Sequence, residues 1–432
     1  MNKPETPNAL FQRRLNVLSP SYYHHYDVPL TAVRAKGVTI WDDKGQAYLD
    51  CYNNVPSVGH CHPHVVGALT DQASQINAHS RYLHDNIVTY AERVIATLPD
   101  EIDTCVFVCS GTEANALAYD IARTVTGNRG VIVSDGAYHG NALAVADFSD
   151  YQLQAPSTPN FVRSIPLPRA KLTGPEAAAA ATPAIEELAQ SEHGLAMAMI
   201  DSIFDGPGIY TAAPGYLPQI ADTVRGQGGL MVMDEVQSGL TRLGDNMWGF
   251  MDSGIVPDIV TMGKPMGAGY PLAIVAAKRS IFEAFAETRS YFNTFGGTPV
   301  AGAVGNAVLD VVQEENILES VGRVGRELTF ALNTLKDQFG FVGEVRGKGV
   351  FQGMEIVTDQ QSHHPDRTKA KAIVNDMRRA GVLISASGMH GNVLKVRPPL
   401  VFSESNAAQL LTTLAEVMGK HHKLTDTEQT KT

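Results

Sequence analysis

The sequence predicts a wound α/β domain around a mostly parallel sheet, with a smaller α+β domain assembled from both chain ends. Three observations predict this. Six short runs in the middle of the chain are apolar throughout instead of alternating, the pattern of strands covered on both faces. Helical periodicity fills the gaps between them, as strand–helix repeats require. Outside roughly 70–310 the alternation stops, and short strands and helices follow without that order. The boundaries drawn from this are 71–310 for the large domain, and 1–70 and 311–432 for the two parts of the small one.

The N-terminal stretch TAVRAKGVTIWDDKGQAYLD (31–50) reads as short antiparallel strands with a turn at Asp43-Lys44-Gly45. DNIVTYAERVIATLP (85–99) places Ile87, Tyr90, Ala91, Val94, Ile95 and Leu98 on one helical face. TCVFVC (104–109) is the first apolar strand, and TEANALAYDIARTVTG after it is a helix that stops at Gly127. The remaining strands are expected at 130–134, 196–201, 230–233, 258–262 and 272–277. Beyond about 315, ESVGRVGRELTFALNTLKDQ reads as a helix, and GEVRGKGVFQGMEIV and GNVLKVRPPLVFS as strands with another helix between them. The polar end KHHKLTDTEQTKT is expected to fray.

Composition excludes several function classes. The 432 residues carry a net charge of −11, so no basic field is offered to nucleic acid or to an anionic membrane. Four cysteines are too few for a disulfide scaffold, and none falls in C-x-x-C spacing; Cys105 and Cys109 read as small buried thiols. The first residues lack a signal-peptide layout, and no apolar run approaches the ~20 residues of a membrane span. A soluble, cytoplasmic protein is expected.

In open α/β sheets ligands sit beyond the carboxyl ends of the strands. After 104–109 comes Ser110-Gly111-Thr112 and then a helix, whose free N–H groups and dipole make an anion site. Ser110 and Glu113 also form a capping box, which would satisfy the same donors with no ligand. After 130–134 come Tyr138 and His139 on a Gly-flanked loop, able to cover a flat ring or simply to pack. After 230–233 comes Asp234, a carboxylate that needs a partner if buried; a helix cap or a bridge to Arg242 is the plainer reading. After 258–262 comes Lys264 among apolar residues and glycines, with Pro265 expected to hold it extended. A lysine in such surroundings is a competent amine nucleophile. Together, an anion cradle, a ring cover, a buried carboxylate and a nucleophilic lysine are the protein groups that pyridoxal 5′-phosphate (PLP) requires.

The segments CSGTEAN, AYHG, DEVQSGLTRLG, MGKPMGAGYP, FNTFGGTP and KVRPPL, in this order, resemble the class III (ω-) aminotransferase family of PLP enzymes over nearly the whole chain. The resemblance implies PLP fold type I, the aspartate aminotransferase-like architecture, and a homodimer with shared active sites, with a tetramer as the larger alternative. It implies Lys264 as the Schiff-base lysine, Asp234 as partner of the pyridine nitrogen and Gln237 as the contact to the ring hydroxyl. Ser110, Gly111 and Thr112 would bind the phosphate, Tyr138 would stack on the ring, and Thr294 would reach the phosphate from the neighbouring subunit. Arg397 matches a position used for a substrate's anionic group, and Asn53, Asn54, His79, Arg81 and Tyr82 are candidates for the substrate end, with loop capping and packing equally open for each of these five.

YLDCYNNVPSVGHCHP (48–63), SRYLHDNIVTYAERVIATLP (80–99), YFNTFGG and VLISASG (382–388) are closer still to the subgroup acting on terminal amines, which includes ethanolamine-phosphate phospho-lyase. Ala268, Thr298, Ala116 and Asp201 depart from the residues usual at those places. The expected activity is transfer of a terminal primary amine from a small anionic substrate to a keto acid. The alternative is a PLP-dependent lyase, releasing phosphate from a phosphoethanolamine-type substrate or ammonia from an aminophosphonate. A non-enzymatic scaffold is disfavoured because Lys264 and Asp234 are both present, and SGTEAN lacks the glycine pattern of a nucleotide loop.

Overall fold

The computed structural model describes residues 9–152, 158–168 and 173–429. Its centre is a seven-stranded sheet in the order Thr104–Val108, Ala273–Ala277, Ile259–Met262, Leu230–Asp234, Leu195–Asp201, Gly130–Ser134 and Val162–Ile165. All neighbours are parallel except Ala273–Ala277, which runs antiparallel to both of its partners. Only a short loop separates that strand from Ile259–Met262, too little chain for a crossover, so the two pair as a hairpin does. Gly130–Ser134 and Ala273–Ala277 are buried along their whole length, as their unbroken apolar runs require.

Val162–Ile165 escapes the apolar-run criterion because it is the edge strand. Its two end residues are buried, while Arg163 is partly exposed and Ser164 exposed. Gly111–Thr126 forms the expected helix and ends on Gly127 at φ 73°, the left-handed conformation a helix stop needs.

The chain ends share a sheet. Ala32–Lys36, Thr39–Asp42 and Ala47–Asp50 form an antiparallel meander, with the turn at 43–45, and Val382–Leu383 adds to it in parallel with Ala47–Asp50. A second four-stranded sheet holds Val342–Lys348, Phe351–Ile356, Val393–Val396 and Ser385–Ser387. Helices Ile317–Gln338, Arg367–Arg379 and Glu404–Gln429 complete the C-terminal part. The last helix continues through the polar stretch expected to fray, as far as Gln429; residues 430–432 lie outside the described residues. Among the described residues no helix is long and apolar enough to cross a membrane, and no cluster of His, Cys, Asp or Glu could hold a metal ion. Cys105 and Cys109 are half-buried instead of fully buried, Cys109 because it borders a cavity.

Candidate active site

Beyond the carboxyl ends of the central strands lies a cavity of about 360 Å³. Ser110, Gly111, Thr112, Tyr138, Asp234, Gln237 and Lys264 all line it, so seven side chains or loops singled out from sequence meet in one place. Asn115, His139 and Tyr270 line it too.

One wall is the N-terminus of Gly111–Thr126. Both readings of this turn hold at once. Ser110 Oγ accepts from Glu113 N–H at 3.2 Å, and the Glu113 carboxylate accepts from Cys109 N–H at 3.1 Å, a working cap. That cap leaves the N–H groups of Gly111 and Thr112, which precede any intrahelical partner, at the cavity wall. Glycine at 263 lets this wall close without strain: a Cβ there would sit 3.1 Å from Gly111 N and 3.2 Å from its Cα, and the helix start would have to give way.

Asp234 ends its strand and is 5% exposed. Its partner is not Arg242, whose Nη1 donates to the Pro398 carbonyl oxygen. Instead Oδ2 meets His139 Nδ1 at 2.8 Å and accepts from Asn115 Nδ2 at 2.8 Å, while Oδ1 accepts the Val236 N–H at 3.0 Å. Thr261 Oγ1 in turn donates to Asn115 Oδ1 at 2.6 Å and fixes the amide's orientation. His139, expected as a possible ring cover beside Tyr138, is thus turned onto the carboxylate, and its Nε2 is buried with no partner among the described residues. Tyr138 borders the cavity, its hydroxyl pKa raised by partial burial and by Tyr23 and Asp234.

Lys264 is not extended, as the following proline predicts. Its φ is 27°, because the chain turns tightly straight out of the Ile259–Met262 strand, with Met266 N–H donating to the Gly263 carbonyl at 3.0 Å. Such a backbone in a non-glycine residue costs about 1–3 kcal/mol and persists only where the surroundings hold it. Ser57 is one such hold, donating from Oγ to the Pro265 carbonyl at 2.6 Å. Burial lowers the Lys264 ammonium below its ordinary value, and Arg397 lowers it further; Asp205, Asp234 and Asp201 partly offset this. The amine is therefore closer to its nucleophilic, proton-accepting form.

Gln237 connects the cavity to a second charged group that the sequence did not reveal in full. Its Oε1 accepts from Arg397 Nη1 at 2.6 Å and from Asn54 Nδ2 at 2.9 Å, and its Nε2 donates to Asp205 Oδ2 at 2.6 Å. Asp205 is also ion-paired with Lys395. Arg397 and Asn54 are thereby joined to the site. Asn53 is not: its backbone and side-chain amides both bind Asp50, at 2.9 and 3.0 Å, which is the loop-capping alternative. Tyr82 is exposed and stacked on His79 at 4.9 Å, and Thr294 is exposed; neither borders the cavity. Asp205 and Lys395 carried signals of their own, an acid in the loop after Leu195–Asp201 and a lysine inside an otherwise apolar strand.

Known proteins are similar to this chain. Residues 21–418 match the family description "Aminotransferase class-III". The chain is 39% identical over 400 residues to a Drosophila melanogaster protein named alanine–glyoxylate aminotransferase 2-like, covering 89% of this chain and 81% of that one. It is 35% identical over 433 residues to ethanolamine-phosphate phospho-lyase homolog 1 of Caenorhabditis elegans, covering 95% and 92%. The solved structure of a phospholyase from Arthrobacter in complex with phosphoethanolamine superposes with a TM-score of 0.92 at 37% identity, over 95% of this chain and 99% of that one. The cofactor these comparisons indicate is PLP, and the residues present fit it: Gly111 and Thr112 N–H groups for its phosphate, Lys264 for its aldehyde, and the Asp234 carboxylate for its ring nitrogen. The chain belongs to the class III aminotransferase family, as a PLP-dependent enzyme with the fold type I architecture.

Proposed function

We propose that this enzyme acts on the terminal primary amine of a small anionic substrate and expels a group from the neighbouring carbon, as a phospho-lyase or ammonia-lyase does. The observation that carries the first half is the lowered amine of Lys264 in one cavity with Asp234, with Arg397 close enough to depress that amine and one hydrogen bond from the cavity wall. The second half is supported by the 0.92 TM-score with a phospholyase that holds phosphoethanolamine. Transfer to a keto acid, the first expectation from sequence, is the second reading, and the relative named as an aminotransferase favours it.

When bound, PLP supplies an electron sink that acidifies the carbon next to the substrate nitrogen. The chain's own groups do the rest. The turn at 110–112 binds the phosphate anion through N–H groups at a helix terminus. His139 and Asn115 hold Asp234 in one orientation, so its carboxylate would be ready for the ring nitrogen of PLP without reorganisation. Lys264 Nζ takes the proton from the acidified carbon, and where it delivers that proton separates the two outcomes. Delivered with departure of a phosphate, it leaves a product that water converts to aldehyde and ammonia, with no net oxidation. Were no leaving group expelled, the proton held on Lys264 Nζ would serve amino transfer instead. The same reading makes the protein a cytoplasmic homodimer with shared sites, or a tetramer of two such dimers.

The test is turnover with phosphoethanolamine or an aminophosphonate in the absence of any keto acid. Sustained release of phosphate or ammonia, with the visible cofactor band recovering each cycle, is the expected result. One equivalent of product per site and permanent loss of the band would establish transfer instead. Borohydride reduction followed by peptide mapping must place the pyridoxyl group on Lys264; a label elsewhere, or none, rejects the whole assignment.

A further inference from the structure

The strand Ile259–Met262 is buried along its whole length, and Thr261 is its one polar side chain, 0% exposed. A valine would have nearly the same shape there, so the hydroxyl is a cost to burial unless a bond offsets it. That bond goes to Asn115: Thr261 Oγ1 donates to Asn115 Oδ1 at 2.6 Å. Asn115, 1% exposed, donates from Nδ2 to Asp234 Oδ2 and to the His139 carbonyl oxygen, each at 2.8 Å. His139 meets the same Oδ2 with its Nδ1 at 2.8 Å, and its N–H donates to Ser149 Oγ at 2.9 Å. Asn115 borders the cavity, whereas Thr261 lies outside its lining.

Asp234 needs these donors because it has a rival. Asp201, Asp234 and Thr261 are register partners on three neighbouring parallel strands, so the two carboxyl groups leave the sheet on the same face. Like charges so placed disfavour one another, and burial together with Asp234 pushes Asp201 up to about 8. Asp201 accepts from the N–H groups of Ile203 and Asp205, at 2.9 and 3.0 Å, and so is not without donors of its own. Which of the two keeps its charge depends on the strength of the bonds each receives. The bonds from Thr261 to Asn115 and from Asn115 to Asp234 run in one direction, each hydrogen pointing toward the Asp234 carboxylate. A hydroxyl donating to an amide oxygen draws electron density from the amide nitrogen and makes its hydrogens stronger donors. It also stops the amide from turning out of line. We propose that Thr261 is a positioning residue: acting through Asn115, it keeps the Asp234 carboxylate ionised and in place for the ring nitrogen of PLP, so that this nitrogen holds its proton. This rests on the reading of Asp234 as the partner of that nitrogen.

The competing account is that the hydroxyl satisfies a buried amide and matters to stability alone. Solid-state nitrogen NMR of the enzyme loaded with PLP isotopically labelled at its pyridine nitrogen separates the two. The chemical shift of that nitrogen reports its proton directly, and a loss of stability does not move it. At about pH 7 the wild-type enzyme should show the protonated position. Thr261→Val should move the signal toward the unprotonated position and lower turnover roughly three- to tenfold. Thr261→Ser, which keeps the hydroxyl, should leave the signal where it is in the wild type and turnover within about twofold. If Thr261→Val does not fold, Thr261→Ala takes its place, with the same shift expected. In Asn115→Leu the signal should already be moved, and adding Thr261→Val should move it no further, since the hydroxyl acts through the amide. A wild-type signal in folded Thr261→Val or Thr261→Ala overturns the proposal, as does a Thr261→Ser signal displaced as far as theirs or a further shift on the Asn115→Leu background. An unprotonated nitrogen in the wild type instead overturns the reading of Asp234 beneath it, so the two failures are told apart.

Discussion

His139 Nδ1 lies 2.8 Å from Asp234 Oδ2, inside a cavity wall where its other ring nitrogen meets no partner among the described residues. A buried carboxylate is thereby given a neighbour that can carry positive charge, without a permanent cation that would neutralise it. Replacing His139 by leucine removes one of two bonds to Oδ2. The expected loss is about 1.5–3 kcal/mol in turnover, or roughly ten- to a hundredfold, since the lost bond is to a charged group. PLP should stay bound, with its visible band shifted as the ring nitrogen becomes harder to protonate. Full activity with an unshifted band would mean the imidazole only fills space. Asp234→Ala should cost far more, several orders of magnitude, with the fold retained.

Thr294 and Tyr82 face solvent in the single chain, beside fully exposed Leu83 and largely exposed Phe295. A second copy covering this face would bring Thr294 to the partner's phosphate site. Thr294→Ala should then weaken PLP retention by about 1–3 kcal/mol, the range for a charge-assisted hydrogen bond, measured by cofactor release on dilution. Light scattering that finds a fully active monomer contradicts the shared site.

Asp201 sets a pH dependence. Its folded pKa, about 8, lies above the unfolded value, so the folded state holds a proton that the unfolded state releases. The contribution is fully present below the ordinary carboxylate value and is lost as pH rises toward 8. Asp201→Asn should therefore flatten the fall in stability between pH 5 and 7 by a slope of about 1 kcal/mol per pH unit, followed by urea unfolding. Lys395 acts oppositely only above about 7, and Glu235, raised to about 7 by burial, titrates in this window in both proteins, so the difference in slope reports Asp201. A variant with the same slope as the wild type would place the proton elsewhere.

Leu240 and Thr241 are consecutive residues with φ of 56° and 65°, and the Thr241 hydroxyl is buried without a partner among the described residues. A β-branched residue there is strained by its backbone and by its side chain. Thr241→Gly should stabilise the enzyme by about 1 kcal/mol, a few degrees in thermal midpoint. A lowered midpoint would show that the lost Cβ and methyl packing outweighs the strain.

Much of the site was legible because its residues sit where strand patterns end. Apolar runs located the sheet, and the few residues that follow each run then named Ser110, Tyr138, Asp234 and Lys264. The partners of those residues were less visible. Asn115 lies one helical turn inside its helix and reads as a plain polar residue; only the fold brings it across to Asp234. Lys395 is buried in a strand buried along its whole length, and its apolar neighbours in sequence gave the signal without naming its partner Asp205. The backbone at Lys264 was misread because a proline rule of thumb yields to a tight turn held by Ser57, 207 residues earlier by position (264 less 57).

The antiparallel strand Ala273–Ala277 has a consequence for how the enzyme matures. Its first two residues pair with Val108 on one side and Met262 on the other, so the turn carrying Ser110 and the loop carrying Lys264 are both pinned to the start of one strand. Neither half of the cofactor site can be placed against the other until this strand has inserted between two partners, one of them separated from it by most of the large domain. Such non-local closure is slow. Cofactor capture is thus tied to the completion of the sheet, and an immature chain with this strand still free has no place to put the pyridoxal ring.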